Sequence, residues 1–217
     1  MPPQPYWANF DRSVRFKWQS LCARMHGPGG LYNAGNALGI STGLAFYIAA
    51  ASATQSVLDV TAFYFLGTIS AVAITAARLL FIASGELYYH AWKMGFPPAP
   101  RLTFLGDLLS GFAALIMGFG LFILGEPVLA MASGLMQAIG KFGNALDNDK
   151  TNARRQTAYR LIVFFSRFPA LILCSLALTR ALPAALQGTW LPASEAASFL
   201  ACYLIWLRAD WLLLRVK

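Results

Sequence analysis

The sequence predicts an all-α fold, a polytopic transmembrane bundle of six spans with both termini cytoplasmic and an N-terminal interfacial amphipathic helix. Three observations predict it. The chain of 217 residues is 58% hydrophobic and only 12% charged, too apolar for an ordinary soluble domain. Its apolar runs, at 31–53, 60–84, 102–125, 128–146, 159–180 and 193–213, approach the roughly 20 residues that a helix needs to cross a bilayer core. Threaded this way, every Lys and Arg except Arg180 falls in the N-terminal arm, the 85–101 loop, the 147–160 loop, the C-terminal tail or the helix ends beside them. Basic residues near spans stay cytoplasmic, and that bias orients the chain.

Six helices of that length use about 120 residues, which leaves no room for a separate soluble domain. Residues 30–217 are therefore expected to form one transmembrane domain, and 1–29 a disordered tip followed by the interfacial helix. Stretches such as Phe112 to Leu124 are apolar on every face, which argues against the alternation of a membrane β-barrel. The net charge of +8 is shared among loops that flank spans, so it reads as a topology signal and a contact for anionic head groups, with no nucleic-acid partner expected. No cleavable signal peptide is expected, because residues 1–29 lack a long uninterrupted apolar region. An integral protein of a bacterial inner membrane is the implied location.

From Phe10 to Met25 the residues Phe10, Val14, Trp18, Leu21 and Met25 recur at helical spacing opposite Arg12, Arg15 and Gln19, the pattern of a helix resting in the interface. His26-Gly27-Pro28-Gly29-Gly30 ends it and turns the chain into the membrane. The first span carries Gly35, Gly39 and Gly43 at four-residue spacing, a stripe that lets another backbone approach. The second is punctuated by Gly67, Ala71 and Thr75 and is expected to continue as helix past Ser84 toward Trp92, with Pro97, Pro98 and Pro100 closing the following loop.

Gly125-Glu126-Pro127 is the single break between Leu102 and Leu146, so spans three and four form a tight hairpin, small-residue rich through Gly111, Gly118, Gly120, Ala130, Gly134 and Ala138. Span five contains Pro169, which removes a backbone hydrogen bond and should loosen the helix. Pro183, Trp190 and Pro192 suggest a longer outer loop before span six, whose inner end carries Trp206 and Trp211 at belt positions. Gly35-Asn36 in span one can be laid over Gly106-Asp107 in span three, and the even spans carry Arg78, Lys141 and Arg208 in their inner portions. Ancestral repetition would produce this pattern; the positive-inside bias alone also predicts it and is the preferred account.

Polar groups at membrane depth are costly unless paired or wet, so each is a candidate for function. Arg78 and Arg167 are long enough to snorkel to the interface, which is the simpler expectation for both. The sharper one pairs them with Asp107, Glu86 or Asn36 at the mouth of an inward-facing cavity, with Arg167 favoured because Pro169 frees a carbonyl in the same helix. Gln137, Lys141 and Asn144 form a polar stripe on span four, fit either to line a water-filled path or to bond between helices. Glu86 and His90, four apart, read as a solvated surface pair, since no third ligand lies at fixed spacing for a metal.

Asp147 and Asp149, followed by Arg154 and Arg155, are the one carboxylate cluster; interfacial prenyl- and phosphoalcohol-transfer enzymes hold a divalent metal and pyrophosphate with such groups. Those enzymes use two acidic motifs or one long patterned motif, and neither is here, so a charged turn is the plainer reading. Cys22, Cys174 and Cys202 have no metal-type spacing and no structural disulfide is expected; His26 and His90 are too few and too cytoplasmic for a haem pair. No cofactor is expected. Three classes remain: a small-solute transporter or channel, which is preferred; a non-catalytic membrane subunit with a protein partner or a second copy of itself; and an interfacial lipid enzyme.

Overall fold

A computed structural model describes residues 30–41, 65–93, 99–147 and 152–215. Among these no strand occurs, and the chain runs through α1 (30–41), α2 (Phe65–Lys93), α3 (Pro100–Gly120), a 3-10 turn (Leu121–Leu124), α4 (Pro127–Leu146), α5 (Ala153–Phe165), α6 (Arg167–Leu186) and α7 (Leu191–Arg215). The interfacial helix expected from Phe10 to Met25, Gly43, Asp59, Asp149 and Cys22 lie outside the described residues.

Among the described residues four stretches are long and apolar enough to cross a membrane: Val72–Ala91, Pro100–Gly120, Ala153–Leu186 and Pro192–Arg215. The α4 helix, expected to be a span, is 20 residues long and packs along α3 as the second arm of the hairpin, but it is not one of these four. Helix α2 runs for 29 residues, roughly 44 Å at helical rise, and so continues past Ser84 as its sequence predicts. Pro100 opens α3 at a position where a missing N–H costs nothing, and Ala99 before it is held extended.

The hairpin turn is built from the 3-10 residues, then Gly125 at φ 88°, then Pro127 at the start of α4. Only glycine adopts that φ without strain, and its N–H closes the turn on the Phe122 carbonyl at 3.0 Å. Behind the turn α3 and α4 cross at backbone contact. A Cβ on Gly134 would stand 2.8 Å from the Ala114 carbonyl and 2.9 Å from the Gly118 Cα.

Helices α5 and α6 form one long rod interrupted at Ser166, three residues before Pro169. Pro169 cannot donate to the Phe165 carbonyl, so the rod loosens one turn earlier and Arg167 becomes the first residue of the new helix. The longer outer loop expected around Pro183 is not found. Pro183 lies inside α6, which ends only at Leu186. The stop is Gly188 at φ 97°, where the N–H groups of Gly188 and Thr189 turn back onto the carbonyls of Ala185 and Ala184.

The core is a column of Ile74, Ala77, Met117, Leu121, Ala130, Leu173, Cys174, Phe199, Tyr203 and Trp206 between α2, α3, α4, α6 and α7. It lies between two chemically different ends. One carries the hairpin turn and an exposed ion pair from Arg180 to Glu126. The other gathers the polar residues described next.

Candidate functional site

At the end of the bundle where α1 and α3 begin and α4 and α7 finish, two buried carboxylates face one cleft. Asp210, in the last turns of α7, is 3% exposed. It accepts a 2.7 Å charge-assisted hydrogen bond from Arg167 Nε and a second bond from the Tyr32 hydroxyl of α1. Arg167, 1% exposed, also donates from Nη1 to Gln137 Oε1 of α4 at 2.6 Å and lies 5.2 Å from the Trp206 ring centroid. Trp206 Nε1 in turn donates to the Tyr32 carbonyl at 3.2 Å. The break at Ser166 therefore delivers a guanidinium to the junction of α1, α4, α6 and α7.

The second carboxylate, Asp107 of α3, is 1% exposed and accepts hydrogen bonds from the Tyr88 hydroxyl of α2 and the Asn144 amide of α4. Lys141 Nζ stands 3.5 Å from the same carboxylate, 3.3 Å from the Tyr88 hydroxyl and 5.1 Å from the Tyr88 ring centroid. Tyr32, Asp107, Lys141, Asn144, Arg160 and Asp210 all line the cleft, whose volume is about 40 Å³. One water needs about 10–15 Å³ of such space. The cleft holds a few waters or a small ion and no organic solute of ordinary size.

Arg78 is, with Arg167, one of two buried cations among the described residues, 2% exposed, and its surroundings differ. Among the described residues no carboxylate pairs with it. Its Nη1 has only long contacts, 3.5 Å to the Gly35 carbonyl and 3.6 Å to Cys202 Sγ, and its Nε has no partner. The Phe199 ring lies 5.2 Å from the guanidinium carbon. A cation–π contact contributes about 2 kcal/mol when desolvated. Burying an unpaired charge costs several kcal/mol, so the ring does not compensate for it.

These positions correct several expectations. Neither Arg78 nor Arg167 snorkels; both are enclosed by helices. Arg167 does not pair with Asp107, Glu86 or Asn36. Its partners are Asp210 and Gln137, and Glu86 is exposed on α2 beside Tyr89 and His90. The polar stripe divides, Gln137 serving the Arg167 cluster and Lys141 and Asn144 the Asp107 cluster. Gly35 and Gly39 meet side chains where a backbone was expected: a Cβ on Gly35 would stand 2.6 Å from Trp206 Nε1, and one on Gly39 0.7 Å from Arg78 Nη1.

Asp147 is buried with its carboxylate 3.5 Å from exposed Arg155, and Arg154 is exposed in the first turn of α5, which Asn152 caps by accepting from the Arg155 N–H. Among the described residues no group of three or more His, Cys, Asp or Glu is placed to hold a metal.

Fold and site together define a class: a helical bundle with spans fit for a membrane, carrying paired charges in its interior. No protein family, curated protein or solved structure matches the chain.

Proposed function

We propose that the chain is a six-span integral membrane protein with both termini cytoplasmic, and that it moves a small hydrophilic solute through the cleft between Asp107 and Asp210. The observation that carries this reading is the convergence of two buried carboxylates, from α3 and α7, on one water-sized opening. Ionisable side chains are expensive at membrane depth and face pathways or one another when they occur there. Interrupted helices with a charge at the break are a recurrent way to build such pathways, and α5–α6 has that form at Ser166-Arg167. The path would run past Asn144, Lys141 and Asp107, then Gln137 and Arg167. Arg154 and Arg160, exposed at the same end, would meet anionic head groups in this reading.

The cleft volume limits the solute to an ion or a molecule near the size of water unless the rod bends at Ser166. The test is flux into proteoliposomes with a panel of inorganic ions and small neutral solutes. Wild-type vesicles should be permeable to at least one, and Asp107→Asn, which keeps shape and removes charge, should return that flux to the level of empty vesicles. Wild-type vesicles as tight as protein-free ones would end the reading.

A second reading, a non-catalytic subunit of a larger membrane complex, is favoured by one observation. Asp210 and Arg167 satisfy each other with Tyr32 and Gln137, as a structural bolt would. Extraction in mild detergent would then recover a stable partner, whereas a monodisperse lone protein counts against it.

A further inference from the structure

We infer that Arg78, together with Asn36, forms a binding site for one small monovalent anion of the halide class, separate from the cleft and independent of whether the cleft conducts. Among the described residues the other buried cation, Arg167, stands beside Asp210, and the half-buried Lys141 stands beside Asp107. Arg78 is as deeply enclosed as Arg167 and, among the described residues, has no carboxylate partner. Where α3 presents Asp107 to its cation, α1 presents the neutral isostere Asn36 at the overlaid position. Among its described residues the first hairpin therefore keeps the cation and shows no counter-charge.

The guanidinium cannot leave to find one. It packs against α1 at Gly39, where even a methyl group would overlap Nη1, and Phe199 and Cys202 of α7 lie against it. The charge must come to it. Two buried polar atoms are without partners, Arg78 Nε and the Oδ1 of Asn36, which lies on the α1 turn between Gly35 and Gly39 that the guanidinium packs against. A bridging water would join them and leave the positive charge uncompensated. An anion satisfies both requirements: the Arg78 Nε–H donates to it, and the Asn36 amide, turned about its last torsion, presents N–H in place of oxygen. The contacts an anion displaces yield readily: the one to the Gly35 carbonyl is longer than an ordinary N–H···O hydrogen bond, and Cys202 Sγ is a weak acceptor. One unpaired charge calls for one monovalent ion, and because Gly39, Phe199 and Cys202 pack closely round the guanidinium we assign it to the small halide class.

The experiment is thermal unfolding of the full chain in detergent, replacing sodium gluconate with sodium chloride or bromide at constant ionic strength. Wild type should gain about 3–5 °C in Tm and saturate, as ligand binding to the folded state requires. Asn36→Asp supplies the carboxylate within the chain, so its Tm in gluconate should match that of halide-loaded wild type and halide should add nothing. Arg78→Gln should also show no halide response, and it tests the site independently if the carboxylate introduced by Asn36→Asp prevents folding. No halide effect on wild type, or the same rise in all three proteins as a general salt effect gives, overturns the inference.

Discussion

Asp210 and Arg167 are bonded at 2.7 Å with both side chains almost wholly withdrawn from solvent, so neither charge tolerates loss of the other. Replacing one partner leaves a buried charge unpaired and should lower stability by about 3–5 kcal/mol. Replacing both by apolar side chains, Arg167→Met with Asp210→Leu, should be less damaging than either alone, because no orphaned charge remains. The residual cost would come from the Tyr32 hydroxyl and Gln137 Oε1, which then lack partners. Unfolding of the two single variants and the double variant in one detergent checks this; additive losses would show that the two charges act separately. Arg167, Asp107, Gln137, Lys141 and Asn144 are legible in the sequence because each interrupts an apolar run. Asp210 is not, since it sits between Arg208 and Trp211 near the end of the last run and reads as interfacial. Tyr32 and Tyr88 read as ordinary aromatic residues. A signal for Asp210 is nonetheless present: Ala196, Phe199, Tyr203, Trp206 and Asp210 recur at alternating three- and four-residue spacing, and all five are buried. Following that face down α7 leads from the core directly to the carboxylate.

Helix contacts explain which glycines matter and which helix ends the sequence misplaces. The α3–α4 hairpin closes to backbone contact at Gly118 and Gly134, in the small-residue stretch that its sequence advertises. Gly134→Ala places a methyl group against the Ala114 carbonyl and the Gly118 Cα, neither of which can swing aside. The hairpin must open, and stability should fall by about 1–3 kcal/mol. Leu135→Ala, at an exposed neighbouring position, is the control and should change it far less. Equal Tm values for Gly134→Ala and wild type would mean that the two helices do not need this approach. The turn itself is legible because Gly125-Glu126-Pro127 breaks an otherwise continuous apolar run. The α6 terminus is not, because Pro183 looks like a stop and is not one. A proline removes one donor and leaves the residues after it free to continue the helix, whereas Gly188 in the left-handed region bends the chain out of it. The α5–α6 interruption is expected at Pro169 and falls at Ser166, since a proline perturbs the turn that precedes it.

For the whole molecule, the proposed orientation in the membrane rests on where the two ends of the bundle put their charges. One end holds the hairpin turn and the short link after Gly188, with Glu126 and Arg180 paired to each other and therefore nearly neutral as a unit. The other end holds Arg101, Arg154, Arg155, Arg160, Arg208 and Arg215 as exposed residues. Retaining that cluster in the cytoplasm satisfies the positive-inside bias, and the reverse arrangement would carry every one of those charges across the bilayer. The cleft between Asp107 and Asp210 then opens inward, and Thr189, exposed beyond the end of α6, faces out. Among the described residues four stretches have the length and apolarity to cross on their own account and α4 is not one of them, so in the proposed topology its insertion should fail together with the hairpin it forms with α3. Single-cysteine labelling separates these arrangements. In a Cys22→Ser background, where Cys174 and Cys202 are buried, Thr189→Cys should react with an impermeant maleimide on intact cells. Lys217→Cys should react only after the membrane is permeabilised. Labelling of Lys217→Cys on intact cells would turn the bundle over and place the carboxylate cleft on the outside, and with it the entrance of the proposed path.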